Sequence, residues 1–491
     1  MGRVAGPITV PAREEGSVVR RSQNRRVVRR ARCACHAFGP PRRRQDAAVT
    51  VKPADAGQAR DVTAPNVTAR DVALDLMAAV LHRKQALGDA LADHPGMALL
   101  DPRDRAFARL MVATVLRRLP QLDALIGRCV KKDIPKHADV VRDLLRLGAA
   151  QLLFIGTAPH AAVDETVAMV QAAGHRRLKG LANAVLRRLA REGGGWAAAQ
   201  DAERLNTPDW LWDDWSASFG EATARAIAAA HLGEPPLDIT PRADPEDWAQ
   251  RLDAKLLPTG SLRRPHIGDV AALPGYDEGA WWVQDAAAAL PARLLGDLAG
   301  KRVADLCAAP GGKTAQLAAA GAEVIAVDRS APRMTRVAAN LARLGIQAET
   351  VIADAATWRP AEPVDAVLLD APCSATGTAR RHPDILRLKS PGDVAKLARL
   401  QDRLLAATAD MLAPGGRLVF CTCSLQAREG SERITAFLAS GAPFARDPVG
   451  SGEIAGAENF ITPEGDLRTT PADWPEHGGL DGFYAARLVR L

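Results

Sequence analysis

The stretch Asp305-Leu306-Cys307-Ala308-Ala309-Pro310-Gly311-Gly312-Lys313-Thr314 decides how the second half of this chain folds. A short apolar run, 303–307, ends there, the backbone turns on two glycines, and a helix begins. Glycine lets a chain turn sharply and approach a ligand closely. The free N–H groups at the start of a helix then face that ligand and suit a carboxylate. One Gly-Gly turn is usually structural; this one gains weight from the acids and thiols at the ends of the later apolar runs.

Further apolar runs of strand length lie at 324–327, 351–353, 364–369 and 417–421, separated by helical stretches. Alternation of that kind predicts an α/β domain with a mostly parallel, doubly wound sheet. Ligands of such sheets sit at the carboxyl ends of the strands. The second run ends at Asp328, the third at Asp354 and the fourth at Asp370. An acid some twenty residues past a glycine turn commonly bonds ribose hydroxyls, which assigns Asp328 to the ribose of a nucleoside cofactor. Asp354 is then expected at the adenine amino group, and Asp370 near the cofactor's amine or the target. Helix capping is the ordinary alternative for each.

Two thiols stand at two of these strand ends, in Asp370-Ala371-Pro372-Cys373-Ser374 and Cys421-Thr422-Cys423-Ser424. Buried inert cysteine is the usual state, and it is the expectation for Cys129, Cys307 and Cys421. Cys373 and Cys423 should instead face one crevice. A thiolate there offers covalent nucleophilic catalysis, provided the site lowers its pKa or supplies a base.

The first half reads differently. Val72, Leu76, Met77 and Val80 make one apolar helical stripe, and Asp101-Pro102 starts a helix carrying Phe107, Leu110, Met111, Val115 and Leu116. Further stripes run through Leu144, Leu147 and Leu152, and through Val163, Val167 and Val170, and Gly180 opens a fifth helix. Residues 66–195 are thus expected to be all-α, closed by a Gly193-Gly194-Gly195 linker. A connecting α/β region over 196–290 holds a packed helix around Trp210, Leu211, Trp215 and Phe219. There Trp281-Trp282-Val283-Gln284-Asp285 enters a helix at Ala286, and its tryptophans read as core rather than as base-stacking platforms. Residues 291–491 form the sheet domain.

The net charge of +7 suggests nucleic acid, but its distribution does not. Residues 1–65 carry fourteen Lys/Arg against five Asp/Glu, a net +9, leaving −2 for the rest. This segment is expected to be a disordered basic tail; Cys33-Ala34-Cys35-His36 has no second half of a metal site nearby. RNA contact would therefore come from local patches, for which Arg380, Arg381, Arg387 and Lys389 are candidates. Seven scattered cysteines argue against a disulfide framework. With no apolar run of membrane length and no signal peptide, a cytoplasmic chain without membrane or metal partner is expected, acting as a monomer.

Residues 66–195 resemble the NusB-like RNA-binding domain. The resemblance rests on Asp104-Arg105-Ala106-Phe107, Val115-Leu116-Arg117-Arg118, Leu145-Arg146-Leu147-Gly148-Ala149, Ala161-Ala162-Val163-Asp164-Glu165 and Leu181-Ala182-Asn183-Ala184-Val185-Leu186-Arg187-Arg188. The glycine loop, Leu369-Asp370-Ala371-Pro372-Cys373-Ser374-Ala375-Thr376-Gly377, Arg381-His382-Pro383-Asp384, Thr422-Cys423-Ser424 and Leu480-Asp481-Gly482-Phe483 resemble the RsmB/NOP family of RNA cytosine-C5 methyltransferases. That resemblance implies a class I S-adenosylmethionine-dependent fold and methyl transfer to a cytosine of small-subunit (16S) rRNA. It implies cofactor contacts from Cys307, Ala308, Ala309, Pro310, Gly311, Gly312, Lys313, Asp328, Asp354 and Asp370. Cys423 becomes the nucleophile and Cys373 the cysteine of product release. Two departures stand out: Glu429-Gly430 where the family usually shows Glu-Asn, and Leu237-Asp238-Ile239-Thr240-Pro241-Arg242 in place of a Leu-Arg-Val-Asn type of segment. A noncatalytic RNA-binding or ribosome assembly factor with a vestigial cofactor fold is the alternative, opposed by the intact thiols, acid and glycine loop. A methyltransferase for DNA, protein or a small molecule is another, opposed by the NusB-like half.

Overall fold

The computed structural model of the chain describes residues 67–131, 134–265 and 268–491. The tail expected over 1–65, with Cys33 and Cys35, lies outside the described residues. The helical half opens with Ala69–Leu81, set by a capping box: the Thr68 hydroxyl accepts from Asp71 N–H at 3.2 Å, and the Asp71 carboxylate accepts from Thr68 N–H. Such a cap is worth about 1 kcal/mol. Val72, Leu76, Met77 and Val80 are all fully buried, as the stripe requires. Helices Pro102–Arg117, Asp139–Ala150, Pro159–Ala172 and Lys179–Ala198 close around them. The expected linker is not one: Gly193, Gly194 and Gly195 lie within Lys179–Ala198. A Cβ on Gly193 would sit 2.9 Å from Leu153 Cδ2, so this glycine lets the helix pack closely rather than ending it.

The connecting region holds a small sheet of β1 (Leu237–Pro241), β2 (Lys255–Leu256), β3 (Leu262–Arg264) and β4 (Trp281–Val283), in the order β2-β3-β1-β4. Trp281 and Trp282 are core, and each indole N–H is satisfied internally, by Pro274 O at 2.9 Å and Gln284 Oε1 at 2.8 Å. The helix expected from Ala286 starts only at Leu290. Residues 286–289 form a turn before it, in which the Asp238 and Asp285 carboxylates accept from the N–H groups of Ala286 and Ala287.

The large sheet of the second half contains β5 (Arg302–Leu306), β6 (Glu323–Asp328), β7 (Glu349–Ile352), β8 (Val364–Asp370), β9 (Leu412–Thr422), β10 (Phe444–Arg446), β11 (Leu467–Thr469) and β12 (Phe483–Arg490). The order is β10-β12-β9-β8-β5-β6-β7, with β11 on β12. Strands β9 to β7 are mutually parallel and β12 runs against β9, giving the doubly wound sheet anticipated. It brings the carboxyl ends of β5, β6, β7, β8 and β9 to one edge. Behind that edge the segments after β8 and before β12 touch backbone to backbone. Gly482 N–H donates to Gly377 O at 2.8 Å, and a Cβ on Gly377 would lie 2.1 Å from Gly482 O, so both positions require glycine.

A buried ionic cluster joins these parts. Arg380 donates to Asp285 at 2.5 Å and Asp481 at 2.6 Å; Arg381 donates to Asp285 at 2.6 Å and to Pro236 O; Arg263 grips both oxygens of Asp238 at 2.6 Å. Burial opposes charge on Asp285, but Arg381 and Arg380 outweigh it and hold its carboxyl well below the usual range. Arg387 is similarly committed, donating to Leu116 O and Asn206 O. Arg380, Arg381 and Arg387 are therefore not the RNA contacts expected from sequence: their guanidinium groups are spent on interior acids and carbonyls. Lys389 is half-buried.

Removing one partner of such a cluster strands a buried charge, which costs about 3–5 kcal/mol. Arg380→Ala is expected to lower stability by that amount in urea unfolding, far more than an exposed substitution such as Arg191→Ala.

Candidate active site

The glycine turn sits where the sequence placed it. Cys307 closes β5 with φ +62°, Ala308 N–H donates to Val327 O, and Gly311, at φ +98°, caps the helix Gly312–Ala319. A Cβ on Gly311 would press Val337 Cγ1 at 3.2 Å. Pro310 is exposed at the tip, and its carbonyl accepts from Asn340. The Cys307 thiol is pushed far up by burial and by neighbouring acids, which disfavours its thiolate.

Asp328 ends β6, nearly buried, and accepts from Ala309 N–H at 3.3 Å and Ser330 N–H at 2.9 Å. It thereby ties the glycine loop to the second strand. Asp354 is exposed just past β7, its carboxylate accepting from Ala356 N–H at 2.9 Å. Beneath the loop lies Asp305, fully buried; Oδ2 accepts from Thr314 at 2.6 Å, and Oδ1 has no partner among the described residues. Burial pushes its carboxyl up to about 7. An orphaned acceptor under a tight glycine turn, with acids ending the next two strands, suits a cofactor that carries an ammonium group and hydroxyls. S-adenosylmethionine has both.

Lys313 stands at the end of that loop. Its ammonium is bonded to Asp370 Oδ2 at 2.8 Å and lies 5.1 Å from the Phe483 ring. It thus reaches across to the end of β8. Cys421 Sγ lies 3.6 Å from Asp370 Oδ1, and burial followed by the Asp370 charge keeps that thiol protonated. The remaining pair meets as anticipated: Cys373 Sγ and Cys423 Sγ are 3.5 Å apart, at the ends of adjacent parallel strands. The hydrogen bond to Cys423, then burial, pushes the Cys373 thiol well above its ordinary value.

A polar network behind the thiols is not legible in the sequence. Ser374 and Ser424 each follow a cysteine, and both bond to the buried carboxylate of Glu429. Gln426 and Gln401 complete it, and Arg468 donates to Ser424 O at 2.8 Å. The one available signal is the repeated Cys-Ser pair; nothing in sequence spacing points to Glu429.

Residues 292–489 match the family model described as 16S rRNA methyltransferase RsmB/F, and residues 67–191 match the NusB family. The chain is 38% identical over 435 residues to ribosomal RNA small subunit methyltransferase B of Pseudomonas putida, covering 84% of this chain and 97% of that one. It is 36% identical over 434 residues to the protein of the same name from Vibrio cholerae, covering 84% and 96%. The crystal structure of PH0851 shares the fold, with a TM-score of 0.67 at 21% identity over 86% of this chain and 99% of that one.

Asp305 supplies a pH test. A carboxyl near 7 when folded and near 3.8 when unfolded favours the folded state while protonated. Its contribution is fully present below about pH 4 and is lost as pH rises to about 7. Asp305→Asn is expected to remove that downward slope from urea midpoints measured between about pH 4 and 7.

Proposed function

Because the chain belongs to the RsmB/F family of 16S rRNA methyltransferases, we propose that it methylates carbon 5 of a cytosine in small-subunit rRNA through a covalent cysteine adduct. It is an rRNA methyltransferase that uses S-adenosylmethionine; the atom modified and the route are the steps proposed. The observation that carries them is the pair of thiols 3.5 Å apart beside the glycine loop.

Carbon 5 of cytosine is too weak a nucleophile to take a methyl group unaided. Addition of the Cys423 thiolate at carbon 6 forms an Sγ–C6 bond and makes carbon 5 enamine-like. S-adenosylmethionine supplies an electrophilic methyl on a sulfonium centre. Once carbon 5 has taken the methyl group, leaving S-adenosylhomocysteine, its proton passes to solvent, the C5–H electrons form the C5–C6 double bond, the Sγ–C6 bond breaks, and the Cys423 thiolate is restored. Cys373, whose sulfur lies 3.5 Å from that of Cys423, assists that release. Asp370, held by Lys313, stands at the polar border between donor and base. Asp328 would hold the ribose, Asp354 the adenine amino group, and the loop from Cys307 to Lys313 the amino-acid end.

The base must leave its stack to meet Cys423, since carbon 6 is shielded within one. RNA is gripped by shape and phosphate contact through the NusB-like helices, whose exposed Arg176, Arg177, Lys179, Arg187 and Arg191 replace the buried arginines as candidates.

Labelled S-adenosylmethionine and unmodified small-subunit rRNA should yield 5-methylcytosine with the wild type. Cys423→Ala is expected to lower the rate by at least about a thousandfold, and Cys373→Ala to accumulate a protein–RNA adduct on a denaturing gel. Methylation at a ring nitrogen or a ribose, or an undiminished Cys423→Ala enzyme, would remove the adduct mechanism.

A further inference from the structure

Two cysteines of like chemistry face one base, and something must decide which attacks. The answer lies in what each loop touches. Glu429, fully buried, comes after β9 and turns its carboxylate back between the two cysteine-bearing loops. Oε1 accepts from Ser374 N–H at 2.9 Å, and Oε2 accepts from the Ser374 hydroxyl and, at 2.7 Å, from the Ser424 hydroxyl. Gln401 reaches Oε1 at 3.4 Å, and Thr422 Oγ1 donates to the Glu429 carbonyl at 2.9 Å. One carboxylate is therefore bonded twice to the residue after Cys373 and once to the residue after Cys423.

The charges around the pair are unequal. On the Cys373 side stands the Glu429 carboxylate, whose charge adds to the bond from Cys423 and burial in disfavouring a Cys373 thiolate. On the Cys423 side the Arg468 guanidinium donates to Ser424 O at 2.8 Å, while the Lys313 ammonium is paired with Asp370 at 2.8 Å. Asp370 faces the same space but is engaged by Lys313. Asp214 is set back behind Gln426, which donates to it at 3.2 Å. Gln401 and Gln426 are uncharged.

Resting on the two-thiol reaction proposed above, we propose that Glu429 is the positioning residue of this site: its buried carboxylate holds both cysteine loops in register and makes Cys373 the partner that keeps its proton, leaving Cys423 as the nucleophile. It touches neither base nor cofactor and acts only through Ser374, Ser424 and the field at Cys373.

Thiolate formation at each cysteine can be read without any methyl transfer. Iodoacetamide alkylation of the full chain, resolved by peptide mass spectrometry across pH, should label Cys423 at least about tenfold faster than Cys373 in the wild type, because the thiolate is the form that is alkylated. Glu429→Gln keeps size and one acceptor but removes the charge. It is expected to narrow that ratio at least about fivefold and to lower kcat while KM for S-adenosylmethionine stays put. Ser374→Ala, which removes one of the carboxylate's bonds, should shift the ratio in the same direction, and it decides the matter if Glu429→Gln no longer binds cofactor. Ratios and kcat unchanged in a folded Glu429→Gln protein would overturn the proposal. Selective Cys423 labelling that Glu429→Gln abolishes, in a protein that transfers no methyl to RNA, would sustain the positioning role while removing the reaction it was assigned to serve.

Discussion

Arg380 and Arg381 are adjacent in sequence and point into the same buried knot of acids, and the site depends on that knot. Asp285 arrives from the small sheet, Asp481 from the loop before β12, and the arginines from the segment just after Cys373. No one of these segments carries its charge into the interior alone; each is stable there only when the others are present. The cluster therefore couples three distant stretches of chain into one assembly. The same segment includes Gly377 and its backbone contact with Gly482, so the loop bearing Cys373 is fixed at both ends of its short span.

Much of the architecture is legible in the sequence because it rests on local signals. Apolar runs with an acid at the end mark β6 to β8, and helical stripes such as Val72, Leu76, Met77 and Val80 mark the core of the first half. The meeting of Cys373 and Cys423 comes from topology alone, since neighbouring parallel strands deliver their ends to one edge. The failures share a cause: they concern partners far apart in sequence. Gly193 reads as a linker unless Leu153, far earlier in the chain, is known to press against it. Arg380, Arg381 and Arg387 read as RNA contacts because a basic run near a catalytic motif suggests phosphate; their true partners lie near positions 116, 206, 285 and 481. Glu429 is visible only as a departure in a motif.

The two thiols illustrate how a site built from identical groups gains a direction. Sulfur chemistry does not distinguish Cys373 from Cys423; their surroundings do. A carboxylate bonded twice to the residue after Cys373 and a guanidinium on the Ser424 carbonyl make those surroundings unequal.

The junction between the two halves is made largely through main-chain groups. Arg117 donates to Arg380 O, Arg387 to Leu116 O and Asn206 O, and Asp384 accepts from Leu87 N–H. Bonds to backbone are indifferent to which side chain stands at the position they reach. The helices can therefore drift in sequence on their outer faces while their distance to the thiols is preserved. In effect the chain is a caliper: the junction sets the span between the outer faces of the helices and the paired thiols.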